Sequence, residues 1–141
     1  MTNFINLVLS IKNMSSWNNI KIDKADALFS EYIRLLRKKC ERCGRRGEMT
    51  QKGLPIKGLQ ASHFHGRRKE SVRYDPLNVD CLCIGCHKHF TINRDLYREW
   101  KKEKLGERQY DLLQLLAETP VKKDRIMSLL IIKEMMKTLD E

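Results

Sequence analysis

The chain lacks a long apolar run, an internal repeat and a low-complexity tract. Its apolar N-terminal stretch, residues 4–11, is far shorter than the ~20 residues that a membrane-spanning helix needs. That stretch also lacks the basic lead-in and the small-residue cleavage site of a secretory signal. We therefore expect a cytoplasmic protein without a membrane-spanning segment, whose thiols are reduced and whose cysteines bind metal rather than form disulfides.

The chain has fewer acidic than basic residues. The 141 residues include 18 Asp and Glu against 28 Lys and Arg, a formal net charge of +10. The basic excess is concentrated between Arg34 and Arg73 instead of being spread evenly. A chain of this length typically forms one domain, and this clustering of positive charge favours a polyanionic partner, DNA above all.

The apolar pattern predicts an α+β fold. A helix is expected from Lys24 to about Arg37 with Asp23 as its N-cap, followed by short strands over 59–64 and near 77–82 and a helix after Cys83. We divide the chain into an N-terminal apolar segment (1–22), a zinc-knuckle core with a leading helix (23–106) and C-terminal helices (107–141). The last helix has a broad apolar face, which fits either a homodimer interface or packing against the N-terminal segment.

Four of the five cysteines form two C-x2-C pairs. They are Cys40 with Cys43 and Cys83 with Cys86. Two converging thiolate pairs satisfy the tetrahedral preference of a structural zinc ion, and in a small core zinc binding would supply much of the folding free energy. Cys81 is expected to be a core thiol in the second strand, although a shift of register would exchange it with Cys83.

The four histidines form two tight groups beside these knuckles, His63 with His65 and His87 with His89. If the first strand and the helix after Cys83 pack together, His63 and His87 face a common site that suits a hydrolytic metal centre. The alternative is four surface or zinc-adjacent imidazoles without catalysis. Nearby cations are expected to grip DNA phosphates, unless they are only solvated loop charges. These cations are Arg67, Arg68, Lys69 and Arg73.

The order of these motifs resembles the HNH, or ββα-metal, nucleases: a knuckle, a strand ending in His63, a loop, Asn78, and a C-x2-C-His that opens a helix at His87. The resemblance implies a small treble-clef core with bound zinc and flanking helices. It also implies that His63 is the general base, that Asn78 braces the loop, and that His87 binds a catalytic magnesium or manganese ion.

Within that superfamily, the segments 24–30, 60–68 and 72–76 resemble the lambdoid-phage recombination endonuclease family called NinG or Rap. The resemblance implies a phage or prophage protein in a bacterial host that cuts branched DNA such as Holliday junctions and D-loops. The His-x-His pattern is also similar to the endonuclease VII resolvases, which implies that His65 assists at the active site. Other readings are a general HNH nicking, restriction or packaging nuclease, or a non-catalytic zinc-ribbon DNA-binding protein.

One position departs from the HNH pattern. Many such nucleases have an acidic metal ligand immediately before the base, whereas this chain has Ser62. A hydroxyl is a poor magnesium ligand. The expected ligands are therefore His87, a DNA phosphate and water, with His65, His89 or Asp80 as candidate helpers.

Overall fold

The computed structural model describes residues 23–48 and 57–139, so the predicted apolar segment 1–22 lies outside the described residues. Five α-helices and one two-stranded sheet lie within these ranges, which confirms the expected mixture of helix and strand. The elements are α1 (Lys24–Arg37), β1 (Leu59–His63), a 3-10 turn (Glu70–Val72), β2 (Val79–Cys83), α2 (Ile84–Ile92), α3 (Arg94–Leu105), α4 (Glu107–Glu118) and α5 (Arg125–Thr138).

Helix α1 begins at a capping box, as its sequence predicts. The Asp23 carboxylate accepts a hydrogen bond from the Asp26 N–H at 2.9 Å, and the Asp26 carboxylate accepts one from the Asp23 N–H at 3.1 Å. This reciprocal pair satisfies backbone donors that the first turn of a helix leaves without partners. The helix buries Phe29 and Ile33 in the core and so fixes the position of the segment that leads to Cys40.

Strands β1 and β2 form an antiparallel hairpin in which Leu59 pairs with Cys83 and His63 with Val79. Every residue of β2 is buried. Because α2 follows β2 without a loop, the chain runs strand, loop, strand, helix, the order that the motifs predict.

Helix α5 divides its apolar residues between two environments. Leu129 and Ile132 are buried in the same core cluster as Phe29 and Ile33 of α1. Met127 and Ile131 are each about half exposed and line an open groove along the helix. Packing within the chain thus accounts for part of the broad apolar face, and the homodimer stays a prediction.

None of the helices in 23–48 and 57–139 has both the length and the apolar character required to cross a membrane.

A buried ion pair ties α1 to the loop that precedes β2. The Arg73 Nε donates to Asp26 Oδ1 at 2.8 Å, and the side chains are only 9% and 0% exposed, respectively. Burial opposes both charges, but their mutual hydrogen bonds outweigh it, so the pKa of Asp26 is lowered and that of Arg73 is raised. Arg73, which the sequence suggested as a phosphate contact, is therefore committed to the core in this structure, and we leave it out of the DNA-contact set proposed below.

The substitution Asp26→Asn is expected to lower the free energy of unfolding by about 3 kcal/mol, because it leaves the Arg73 guanidinium buried without its main counter-charge. Urea unfolding with zinc present measures the change. The control is Asp95→Asn, which removes an exposed pair with Arg98 and should change stability by less than about 0.5 kcal/mol. Equal effects of the two substitutions would contradict this description of the ion pair.

Candidate metal centre and histidine site

The first knuckle is a tight turn between α1 and β1. The Cys40 N–H donates to Arg45 O at 2.8 Å, and the Gly44 N–H donates to Cys40 O at 2.9 Å. Gly44 has φ +79°, in the left-handed region that glycine enters without steric cost. A Cβ on Gly47 would come within 2.7 Å of Leu59 Cδ1, so any other residue here would force the buried Leu59 side chain to shift.

The second knuckle is the start of α2. Cys83 is the N-cap of this helix, and its sulfur accepts from the Cys86 N–H at 3.4 Å. The antiparallel pairing of β1 with β2 brings this turn beside the first knuckle. Both C-x2-C pairs therefore converge, as their spacing predicts.

The converging sulfurs of Cys40, Cys43, Cys83 and Cys86 lie within 4.8 Å of one another, and Cys43 Sγ is 3.7 Å from Cys83 Sγ. A zinc–sulfur distance of ~2.3 Å in a tetrahedron places sulfurs about 3.8 Å apart. The cluster therefore fits a metal ion such as zinc. Cys81 lies apart from it, as a fully buried thiol in β2, so the register expected from the sequence is correct.

The thiols of the cluster differ in acidity. Burial opposes ionisation of Cys40, but hydrogen bonds from backbone N–H groups outweigh it and lower its pKa to about 7. Burial raises the pKa of Cys86 to about 12, although the Arg42 guanidinium donates to its sulfur at 3.4 Å. Four adjacent thiolates repel one another unless a cation lies between them, which is the charge that a divalent metal supplies.

His63, at the end of β1, is mostly buried. Its Nε2 lies 3.0 Å from the carbonyl oxygen of Arg73. Since a carbonyl can only accept, Nε2 carries the proton in the neutral ring and Nδ1 keeps its lone pair. Burial, helped by the positive charge of Arg67, lowers the pKa of His63 to about 4. At neutral pH this imidazole is therefore uncharged and able to accept a proton at Nδ1.

His87, in the first turn of α2, shows the same arrangement on the other ring nitrogen. Its Nδ1 lies 2.7 Å from Oε1 of Gln60 in β1. The amide oxygen fixes the proton on Nδ1 and leaves the Nε2 lone pair available to a metal, as partners of ligand histidines generally do. Burial and the charge of Arg67 lower the pKa of His87 too, which keeps the ring neutral.

Arg67 links the two histidines electrostatically. After burial, its positive charge is the next cause that lowers the pKa of both His63 and His87. It also lies 3.8 Å from Asp26 Oδ1, and its buried Nε has no hydrogen-bond partner. His63 and His87 form no hydrogen bond with each other; what they share is β1, which ends at His63 and carries the Gln60 that bonds to His87, and the charge of Arg67.

Asn78 holds the loop that carries these groups. It is completely buried, accepts from the His65 N–H at 2.8 Å, and donates to His65 O at 3.0 Å and Val72 O at 3.1 Å. These bonds tie both ends of the loop between β1 and β2. The geometry is that of a loop brace, the function that the resemblance implies for this residue.

The His65 ring lies beside α4. Its Nε2 and the Oε1 of Gln114 are both buried without a hydrogen bond. Burial lowers the pKa of His65, and the neighbouring Gln114 amide opposes that shift.

The structure explains the serine before His63. Ser62 points into the core, where its hydroxyl is 3.0 Å from the Tyr97 hydroxyl. Its strand partner Asp80 is fully buried and accepts from Lys101 at 2.8 Å, from Lys104 at 2.6 Å and from Tyr97 at 2.6 Å. Both oxygens of Asp80 are thus occupied, and it is not available as a helper ligand. His89 lies on α2 with Nδ1 3.4 Å from Asn93 Nδ2. An amide nitrogen can only donate, so Nδ1 accepts, Nε2 carries the proton, and neither ring nitrogen is free to act as a helper ligand.

The remaining predicted DNA contacts are on the surface. Arg68 is exposed, and Lys69 is 44% exposed with only a long, solvent-exposed contact of 3.6 Å to Glu118.

Sequence reasoning missed Gln60 and Gln114, because both touch a histidine far from them in the chain. The one signal for Gln60 is that it is a polar residue on the strand that ends in His63.

In comparisons with known proteins, no family model, no curated protein and no solved structure matches this chain, so its function is argued from the geometry of the site.

Proposed function

We propose that this protein is a metal-dependent DNA endonuclease of the HNH, or ββα-metal, type that hydrolyses phosphodiester bonds in branched DNA. The main observation in support of this proposal concerns His63 and His87. In each ring one nitrogen is bonded to a fixed oxygen and the other nitrogen is left with a lone pair. One lone pair suits a general base and the other a metal ligand.

His63 is the proposed base. Its Nδ1 would take the proton from the attacking water, and the Arg73 carbonyl holds the ring in the tautomer that this step requires. Because the ring is neutral at physiological pH, it is ready to accept a proton without first losing one. Asn78 contributes indirectly by fixing the loop that follows His63.

Arg67 is the proposed phosphate clamp beside the base. Its charge lowers the pKa of both histidines, and its nearest carboxylate oxygen, Asp26 Oδ1, is 3.8 Å away. A phosphodiester oxygen at this position would be held by a guanidinium, whose planar set of donors matches phosphate geometry. Arg68 and Lys69 are proposed to hold neighbouring phosphates.

Two metals are proposed, with different functions. A structural zinc ion would be held by Cys40, Cys43, Cys83 and Cys86. A magnesium or manganese ion would be held by His87 Nε2, a DNA phosphate and water, and would neutralise charge on the leaving oxygen. Asp80 and Asp26 are both bound by other side chains, so among the described residues neither of these carboxylates is left for this second ion, which should bind weakly until DNA supplies an oxygen ligand.

The preference for branched DNA comes from the resemblance to the NinG or Rap family. Cleavage of a labelled four-way junction, a D-loop and a matched linear duplex by zinc-loaded protein tests it. Faster cutting of both branched forms supports the proposal. Equal cutting of linear duplex would indicate a general HNH nuclease, and binding without cutting in any divalent ion would indicate a zinc-ribbon DNA-binding protein.

The pH dependence of kcat/KM should show where His63 titrates. The neutral ring is the active form and its pKa is about 4, so we expect no decline from His63 between pH 8 and about 5, with an acid limb below that. The Arg67→Gln variant should move this limb to higher pH, because it removes a positive charge that lowers the pKa. Zinc content is measured at every pH as the control. An acid limb near 6.5 in the wild type would contradict the proposed environment of His63.

A further inference from the structure

The first knuckle carries a group of exposed cations that the proposed active site does not use. We call these residues the knuckle cations: Lys38, Lys39, Arg45, Arg46 and Lys57. Arg42 is kept apart from them, because it donates to Cys86 Sγ and lies 5.1 Å from the Phe90 ring centre.

Nearby carboxylates do not neutralise this group. Glu41 is bound on Oε1 by Arg37 at 2.9 Å and Lys104 at 2.7 Å, and on Oε2 by the Cys81 N–H at 2.7 Å. Within 23–48 and 57–139, Glu48 reaches only Lys57, at 3.7 Å, and both side chains are more than 70% exposed. Such exposed pairs contribute little. The knuckle therefore presents a surface of nearly uncompensated positive charge.

Two of the knuckle cations are placed against each other. Lys39 and Arg46 are partners in an isolated antiparallel bridge, so their side chains start from opposite positions on adjacent strands. Like charges directly opposite in such a pair destabilise it. This repulsion costs some folding stability, and an anion bound across the pair would relieve it.

The knuckle cations and the proposed phosphate clamp lie at opposite ends of β1. Lys57 pairs with Glu48 of the knuckle just before the strand starts at Leu59, and Arg67 follows its end at His63. Four residue steps in a strand span roughly 13 Å. One strand of duplex DNA has a phosphate about every 3.4 Å along the axis. A backbone running along β1 would thus present several phosphates between the two basic groups.

We propose that the knuckle cations, with Lys39 and Arg46 at their centre, form a second phosphate-binding site for the DNA backbone, several nucleotides from the bond that is cut. The inference rests on the proposed nuclease for its DNA partner. An acidic protein is the other anion of suitable charge, but the presence of a phosphate clamp at the far end of the same strand favours DNA. The site would anchor one arm of the substrate while His63 acts on another stretch.

The test is a Lys39→Gln/Arg46→Gln double variant, with Lys122→Gln/Lys123→Gln as the matched control. The control residues are exposed and lie between α4 and α5. Their substitution removes the same amount of positive charge as the knuckle variant does. All proteins in this experiment also carry His63→Ala, which prevents cutting; the protein with His63→Ala alone is the reference. Affinity for a labelled four-way junction is measured for the knuckle variant, the control and the reference across a salt series. Unfolding midpoints without DNA are measured in parallel.

We expect the knuckle variant to bind the junction at least about tenfold more weakly near 0.15 M salt. The negative slope of the logarithm of its association constant against the logarithm of the salt concentration should become shallower by about 1.8. Its unfolding midpoint should stay the same or rise, because a repulsive pair has been removed. The control should keep the reference slope. A knuckle variant that keeps the reference slope, or changes it only as much as the control does, would overturn the inference while leaving the nuclease proposal intact.

Two further outcomes separate the remaining readings. If the knuckle variant binds DNA normally but loses binding to polyglutamate, the site takes an acidic polypeptide and the DNA inference is wrong. If the original protein never cuts DNA but its binding depends on the knuckle cations as expected, the phosphate site stands and the proposed nuclease function fails.

Discussion

The Cys83→Ser variant is expected to lose its bound zinc and with it the cooperative unfolding transition. Cys83 is both a member of the sulfur cluster and the N-cap of α2, so it joins the metal site to the helix that carries His87. Structural zinc supplies on the order of 10 kcal/mol of folding free energy in small domains. That amount is comparable with the total stability of a typical domain, about 5–15 kcal/mol.

Metal analysis and chemical unfolding measure the effect. The wild type should contain one zinc per chain and should unfold when a strong chelator is added. The control is Cys81→Ala, which removes a buried thiol of the same strand that lies outside the cluster. It should keep its zinc and lose only the stability of a small cavity. A folded, cooperative Cys83→Ser protein without metal would show that the cluster is not what holds this fold together.

The His63→Ala variant is expected to cut a four-way junction about 10³-fold more slowly than the wild type, since a positioned general base typically contributes 10²–10⁴-fold. DNA binding should change by less than about twofold, because a neutral ring makes no counterion-releasing contact with phosphate. Single-turnover cleavage with saturating protein separates the rate from the affinity.

His89→Ala provides the control for His63. Its ring lies on α2 beside Phe90 and Asn93, away from the Arg73 carbonyl that positions His63. This variant should cut at close to the wild-type rate. Equal losses in the two variants would mean that the histidines act through stability or packing, and the assignment of His63 as the base would be wrong.

Local signals in the sequence were sufficient for most of the secondary structure. The helix from Lys24 to Arg37 and its Asp23 cap follow from periodicity and end signals that depend on neighbouring residues. The two short strands were found within two residues of their observed bounds. Asn93 ends α2, where its side-chain amide donates to His89 O at 2.9 Å.

The zinc-type cluster was also predictable, because each half is a local motif and tetrahedral coordination requires the two halves to meet. The contacts that surround the histidines could not be predicted from the sequence. Arg73 is basic and sits in a basic loop, yet it pairs with Asp26, 47 residues away. Gln60 reaches His87 across 27 residues. Such contacts depend on how elements pack, and a pattern of residue types along the chain does not encode them.

The central claim is that the site around His63, Arg67 and His87 hydrolyses DNA with a divalent ion. The most direct measurement is single-turnover cleavage of a labelled four-way junction by zinc-loaded wild-type protein, with and without added magnesium or manganese. The account predicts strand cuts that require the added ion. A folded, zinc-loaded protein that binds the junction but leaves it uncut in either ion would contradict it.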